Sequence, residues 1–170
     1  MRNILIFGLL GLFAIGCNQK EKKEKESRLE AIRILEKKDS SSRTGLIKDR
    51  IVLWKSYYES YPDDSLSSMF LFKTAKGEME LGNFDRASNY LETYLLKYPG
   101  GKEKADVLFI LGFLYDGRLN KKEEARRIYK SFISEFPQDP LVRDVRIALE
   151  LLDYNDEELI QKLENQNKPE

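Results

Sequence analysis

Hydrophobic positions in this chain recur at steps of three to four residues over long amphipathic segments, and no alternating stretch rich in Val, Ile and Thr competes with them. That periodicity predicts helices and no strands. From Leu46 onward the segments are punctuated by aromatic-proline pairs, Tyr61-Pro62, Tyr98-Pro99 and Phe136-Pro137, whose prolines stand 37 and 38 residues apart. A fixed period of this length is the mark of a repeat array.

Positions counted back from each proline carry matching chemistry. Five residues before lie Tyr57, Tyr94 and Phe132; eight before lie Trp54, Leu91 and Tyr129. These spacings put the rings on one helical face. Twelve before lie Ala87 and Ala125, small enough to admit a neighbouring helix, whereas the first copy has Arg50 there and reads as an incomplete or capping unit. A second helix precedes each of the later two, with apolar stripes Leu66, Met69, Phe70, Ala75 and Leu108, Leu111, Gly112, Tyr115. Each unit is therefore expected to be a helical hairpin, the two full ones spanning Ser65 to Pro99 and Lys102 to Pro137. Asn83 and Asn120 are expected as N-caps of the second helices, Glu123 completing a capping box after Asn120, and Asp139-Pro140 as N-cap and first helical residue of the next.

Residues 46–165 thus form an all-α stack of about six helices, with a closed bundle as the alternative. At the far end Asn155 and Glu158 have capping-box spacing, and Leu159, Ile160 and Leu163 give a short final helix expected to cap Val145, Ala148, Leu149 and Leu152. Residues 166–170 have nothing to bury and are expected to be a disordered tail.

The amino terminus follows a different pattern. Ile4 to Gly16 are unbrokenly apolar, preceded by Arg2 and followed by Cys17. Such a run is too short for a spanning helix, which needs about 20 residues, and has the layout of an export signal. Asn18 to Glu26 is a mixed-charge run without an apolar residue, expected to be a solvated tether, with a sorting or surface-export signal as the sharper reading. A short helix over Arg28 to Lys38, striped by Leu29, Ile32, Ile34 and Leu35, and a Ser-rich linker complete residues 17–45.

Composition removes most chemistries. The 170 residues hold no His and one Cys, and 29 basic residues balance 29 acidic ones. The usual zinc ligands and triad bases are missing, an intrachain disulfide is excluded, and no net field exists to hold nucleic acid. Carboxylate pairs at Asp63-Asp64, Glu123-Glu124 and Glu157-Glu158 sit after a helix-ending proline or in first turns, where acids complement the helix dipole. Gly100-Gly101 lacks the Gly-Lys-Ser/Thr of a phosphate loop. No catalytic constellation, cofactor site, metal site or small-molecule substrate site is expected.

Leu108-x2-Leu111-Gly112-x2-Tyr115, then Ala125, Tyr129 and Pro137, resembles the tetratricopeptide repeat (TPR), whose signature is W-x2-L-G-x2-Y, A-x3-F and P. The preceding unit keeps Leu71, Ala75, Gly82, Ala87, Leu91 and Pro99 but carries Thr74 and Glu78 at the Leu and Tyr positions. Leu12 to Cys17 resembles a bacterial lipobox, with Ala14 where Leu is usual. That resemblance implies cleavage before Cys17, lipid on its thiol and, with Asn18 rather than Asp next, an outer-membrane location, on the periplasmic face or exposed at the surface. The whole resembles TPR envelope lipoproteins of the BamD and YbgF families. It implies an all-α helical-hairpin solenoid behind a lipoprotein signal peptide (residues 1–16) and charged tether, acting as a non-enzymatic protein-binding scaffold in outer-membrane protein assembly or envelope maintenance. In similar proteins the first helix of each hairpin lines a concave groove. By motif position the groove residues are Met69, Phe72, Lys76 and Met79, then Asp106, Phe109, Phe113 and Asp116, suited to an extended or helical segment of another envelope protein, with burial against the N-terminal or C-terminal helix as the alternative. Two rivals remain: a carboxylate-dependent hydrolase of cell-wall glycan, and a purely structural oligomer formed through Arg28 to Lys38.

Overall fold

The computed structural model describes residues 5–38, 43–154 and 158, with side chains from Gln19 to Lys38, from Thr44 to Tyr154 and at Glu158. The described residues form seven helices and no strand: α1 (Leu5–Lys37), α2 (Arg43–Ser60), α3 (Ser67–Glu80), α4 (Phe84–Lys97), α5 (Lys104–Gly117), α6 (Lys122–Glu135) and α7 (Val142–Leu151). Hairpins α3–α4 and α5–α6 lie inside the two units read from the sequence. Among the described residues substantial packing joins only chain neighbours, α1 on α2 through to α6 on α7, and α2 with α7 is not among these pairs. This is the contact pattern of a stack, not of a closed bundle.

The repeat is visible in the backbone of its turns. The amides of Tyr61, Tyr98 and Phe136 close their helices on the carbonyls of Tyr57, Tyr94 and Phe132 at 2.8–2.9 Å. Three residues on, the amides of Asp64, Gly101 and Asp139 bond the carbonyls of those same aromatic residues Tyr61, Tyr98 and Phe136. Three copies of one turn therefore join second helix to first helix, each placing a proline where no amide is required. The rings five residues before each proline, Tyr57, Tyr94 and Phe132, are completely buried, as are Ala87 and Ala125.

Within the hairpins, chain reversal differs between the units. Gly82 takes φ +77°, with Gly82 N bonded to Met79 O and Asn83 N to Glu78 O, both at 2.9 Å. This is a Schellman closure, which needs a residue tolerant of left-handed geometry. In the second unit Asn120 takes that role at φ 51°, one residue before the N-cap position, which belongs to Lys121. The expected N-cap at Asn120 and its capping box with Glu123 are thus corrected: the extra residue in this turn makes Asn120 the left-handed closer of α5. Asn83 does occupy the N-cap position of α4, but its side chain donates to Glu78 Oε2 at 2.7 Å instead of capping the helix. Asp139 likewise caps a turn, accepting from the Leu141 amide at 2.9 Å, and α7 begins only at Val142.

In α1 the run from Asn18 to Glu26 is helical and continuous with the segment expected to start at Arg28. Gln19 to Glu24 are exposed; engagement begins at Lys25, whose ammonium pairs with Asp64, and at Arg28, which donates to Ser56 Oγ at 2.5 Å and Ser60 Oγ at 3.0 Å. Ile32 is buried, and Leu29 packs against the core, while Ile34 of the expected stripe is 61% exposed. Running antiparallel to α2, α1 supplies the first helix that the incomplete unit lacked in the repeat signature. Arg50 explains its own departure from the small-residue position, because its guanidinium donates to the carbonyls of Leu35, Glu36 and Lys38 and so closes the C-terminus of α1. The expected final helix after Asn155 and the tail 166–170 lie outside the described residues, apart from Glu158.

Candidate partner groove

Alternation of first and second helices sets α1, α3, α5 and α7 along one side of the stack and α2, α4 and α6 along the other. The first side carries the eight candidate groove residues, and packing divides them. Phe72 is buried edge-on to Tyr94, centroids 6.4 Å apart, and Lys76 Nζ lies 5.5 Å over its ring. Phe109 packs on Phe132 at 6.4 Å, and Met69 and Met79 are half-buried against the core. Asp116 is half-buried, and desolvation raises its pKa in spite of the opposing charge of Lys122. Lys76, Asp106 and Phe113 are exposed, Phe113 at 49%. Phe113 is thus the one large exposed ring among the eight positions, and Met69, Phe72, Met79, Phe109 and Asp116 are half-buried or buried.

Helix α1 packs on α2. Its Glu36 accepts from Lys73 Nζ at 2.7 Å and from Trp54 Nε1 at 3.1 Å, tying α1 to α3 and α2. Three turns earlier in α1, Lys25 donates to Asp64, as does the Tyr57 hydroxyl. Burial pushes the Asp64 carboxyl up, but the Lys25 ammonium, the Leu66 amide and Tyr57 outweigh it and hold it below the usual range. The Asp63-Asp64 pair is therefore divided between an exposed acid and one engaged in joining α1 to a repeat turn.

A second cluster escaped the motif reading. Glu78, noted only as a departure at the signature Tyr position, is buried, and its two oxygens meet Asn83 Nδ2 at 2.7 Å and Arg86 Nη1 at 3.5 Å. Its substitution for an aromatic ring was the available signal. Among the described residues no group of three or more His, Cys, Asp or Glu side chains is arranged to hold a metal ion, and no helix is long and apolar enough to cross a membrane.

The tetratricopeptide repeat family matches residues 70–101 and 106–139, the two hairpins whose turns and cores are described above. Among curated proteins none matches the chain. The two matched units carry the helical-hairpin architecture of a protein-interaction repeat. The α1–α2 hairpin lies outside the match, as its Arg50 and the charged Asn18–Glu26 stretch of its first helix would require.

Proposed function

We propose that this chain is a non-enzymatic, protein-binding scaffold of the bacterial cell envelope, held at the outer membrane by lipid on Cys17 and presenting its groove to a segment of another envelope protein. The observation that carries the binding role is Phe113: a large ring left 49% exposed on the groove side of a matched repeat, between Asp106 and Asp116. An aromatic anchor with charged neighbours suits a peptide segment that buries an apolar side chain. The anchor rests on the lipobox-like Leu12 to Cys17 and on α1 itself. From Cys17 to Lys25 is eight residues, about 12 Å of helix at 1.5 Å per residue, so a processed chain holds its repeats on a short helical strut. Processing before Cys17 removes residues 1–16. The process served is outer-membrane assembly or envelope maintenance.

The test is site-specific photocrosslinking in intact cells, with the photoreactive residue at Phe113 or, as control, at Leu96, which is 82% exposed on α4. A discrete adduct from position 113 and none from position 96 is expected. Equal adducts from both positions, or none from 113, overturn the groove reading. Anchoring is read separately by labelling with a palmitate analogue, which Cys17→Ser must abolish.

A further inference from the structure

On the other side of the stack, a cavity of about 310 Å³ opens between α2 and α4 over the end of α3. Ile51, Val52, Leu81 and Tyr90 form its apolar surface, and Lys48, Lys55 and Arg86 supply its positive charge. Val52 is 64% exposed at its mouth. Lys48, Val52 and Lys55 recur at helical spacing and so share one face of α2. Across the opening, Arg86 is steadied by the buried Glu78, which Asn83 also holds. Three cations of the lining face one carboxylate, which Arg86 and Asn83 engage, and Lys55 also pairs with Glu59 one turn on along α2 at 3.7 Å.

The equivalent place one repeat later shows that this is not a general property of the stack. There Lys48, Lys55 and Arg86 are replaced by Asp85, Glu92 and Glu124, and Val52 by Asn89. Tyr115 stands where Glu78 does, and its hydroxyl bonds Glu92 across the cleft. The motif residue thus ties the second cleft together, whereas its loss at Glu78 leaves the first one lined by cations around an apolar floor.

We propose that the α2–α4 cleft is a second binding site, for an acidic peptide segment that seats one apolar side chain on Val52, Leu81 and Tyr90 while its carboxylates meet Lys48, Lys55 and Arg86. Charge complementarity selects an acidic partner, and the volume lies at the lower end of the range for a ligand pocket, sized for one or two side chains. This site is independent of the groove around Phe113.

The probe is a fluorescein-labelled peptide, Asp-Glu-Leu-Glu-Asp, titrated with the purified soluble chain and read by fluorescence anisotropy, with Lys-Lys-Leu-Lys-Lys as control. Saturable binding of the acidic peptide alone is expected, weakening at least tenfold in Lys48→Glu/Lys55→Glu and in Val52→Asp, and unchanged in Phe113→Glu. All of these positions are exposed, and the Glu78–Arg86 pair is left intact, so the variants should keep the fold by circular dichroism. Absence of saturable binding, or equal affinity in Lys48→Glu/Lys55→Glu, overturns the proposal. Loss in Phe113→Glu instead assigns the peptide to the groove and overturns it too. Binding of inorganic phosphate or decanoate at this cleft without binding of the peptide overturns it in favour of a small-anion site.

Discussion

The hydroxyl of Tyr94 donates to Glu103 Oε2 at 2.8 Å, and one repeat earlier the hydroxyl of Tyr57 donates to Asp64 Oδ1 at 3.1 Å. In both copies a ring completely buried in the second helix reaches forward to an acid in the following turn, fixing one hairpin against the next. The third copy, Phe132, keeps the ring and forgoes the bond. Tyr94→Phe therefore retains a shape that the fold already accepts, but removes the donor. A loss of about 1 to 2 kcal/mol is expected, since bonds to charged groups exceed the average for neutral ones. Tyr98→Phe, whose exposed hydroxyl bond goes to the Pro62 carbonyl, should cost less. Urea unfolding of the three proteins measures the order.

Much of this was legible because repeats announce themselves at constant offsets: the proline turns, Tyr57/Tyr94/Phe132 and Ala87/Ala125 were all readable from spacing. What escaped was cooperation between distant segments. Nothing local to Arg50 says that its guanidinium will close another helix, and the charged run before Arg28 lacks the apolar stripe by which a packed helix is recognised. Its attachment is polar, through Lys25 and Arg28. Asn120 was misplaced by one residue because N-cap and left-handed C-terminal positions favour the same amino acid. Motif position named the candidate groove residues, but how far Phe72 and Phe109 are withdrawn into packing depends on neighbours across the stack.

Gly112 marks the closest approach within the second hairpin. A Cβ at this position would press into the Tyr129 ring, and Tyr129 is itself buried. Gly112→Ala should destabilise by about 1 to 3 kcal/mol through overpacking, despite the better helix propensity of Ala. The discriminating measurement is Gly112→Ala in a Tyr129→Leu background, where the penalty should shrink by at least half. At Gly77 an added Cβ would meet Ile51 Cγ1 at 2.6 Å, an atom next to the β-branch of a buried side chain that turns poorly at χ1, so the loss there should be of similar size.

Alkaline pH should loosen the fold through its tyrosines. Burial raises Tyr57, Tyr58, Tyr94 and Tyr115 above the usual phenol value, with Asp64, Glu59, Glu103 and Glu92 adding to it respectively; burial pushes Tyr129 up to about 12. Their folded-state pKa values exceed the unfolded value of about 10. The contribution is therefore whole below pH 10 and disappears as pH rises toward the folded values, because the unfolded chain releases its protons first. Asp64 has the opposite sign: its support is present above about pH 4 and is lost as pH falls through its depressed pKa. Unfolding free energy measured from pH 8 to 11.5 should fall progressively above 10, and ultraviolet titration should show these phenols ionising only as the fold is lost. Early, reversible ionisation of all of them in the folded protein would contradict the burial argument.

The single tryptophan offers a direct test of whether α1 is part of the stack or an appended strut. Trp54 is buried, its indole donates to Glu36 of α1, and Lys73 Nζ lies 5.7 Å over its ring. Ile32, one turn before Glu36, is also buried. If α1 completes the first hairpin, Ile32→Asp should release it by placing a charge where none can be solvated. The stack would then lose its end cover. Trp54 emission should shift to the red and the melting temperature should fall, by roughly 2 to 4 °C for each kcal/mol lost in a chain of this size. Ile34→Asp, one full exposed face away, controls for the added charge and should leave both readings unchanged. An unshifted tryptophan in Ile32→Asp would mean that α2 is covered without α1. The helix would then be a strut alone, and the α3–α4 and α5–α6 hairpins would have to be stable without it.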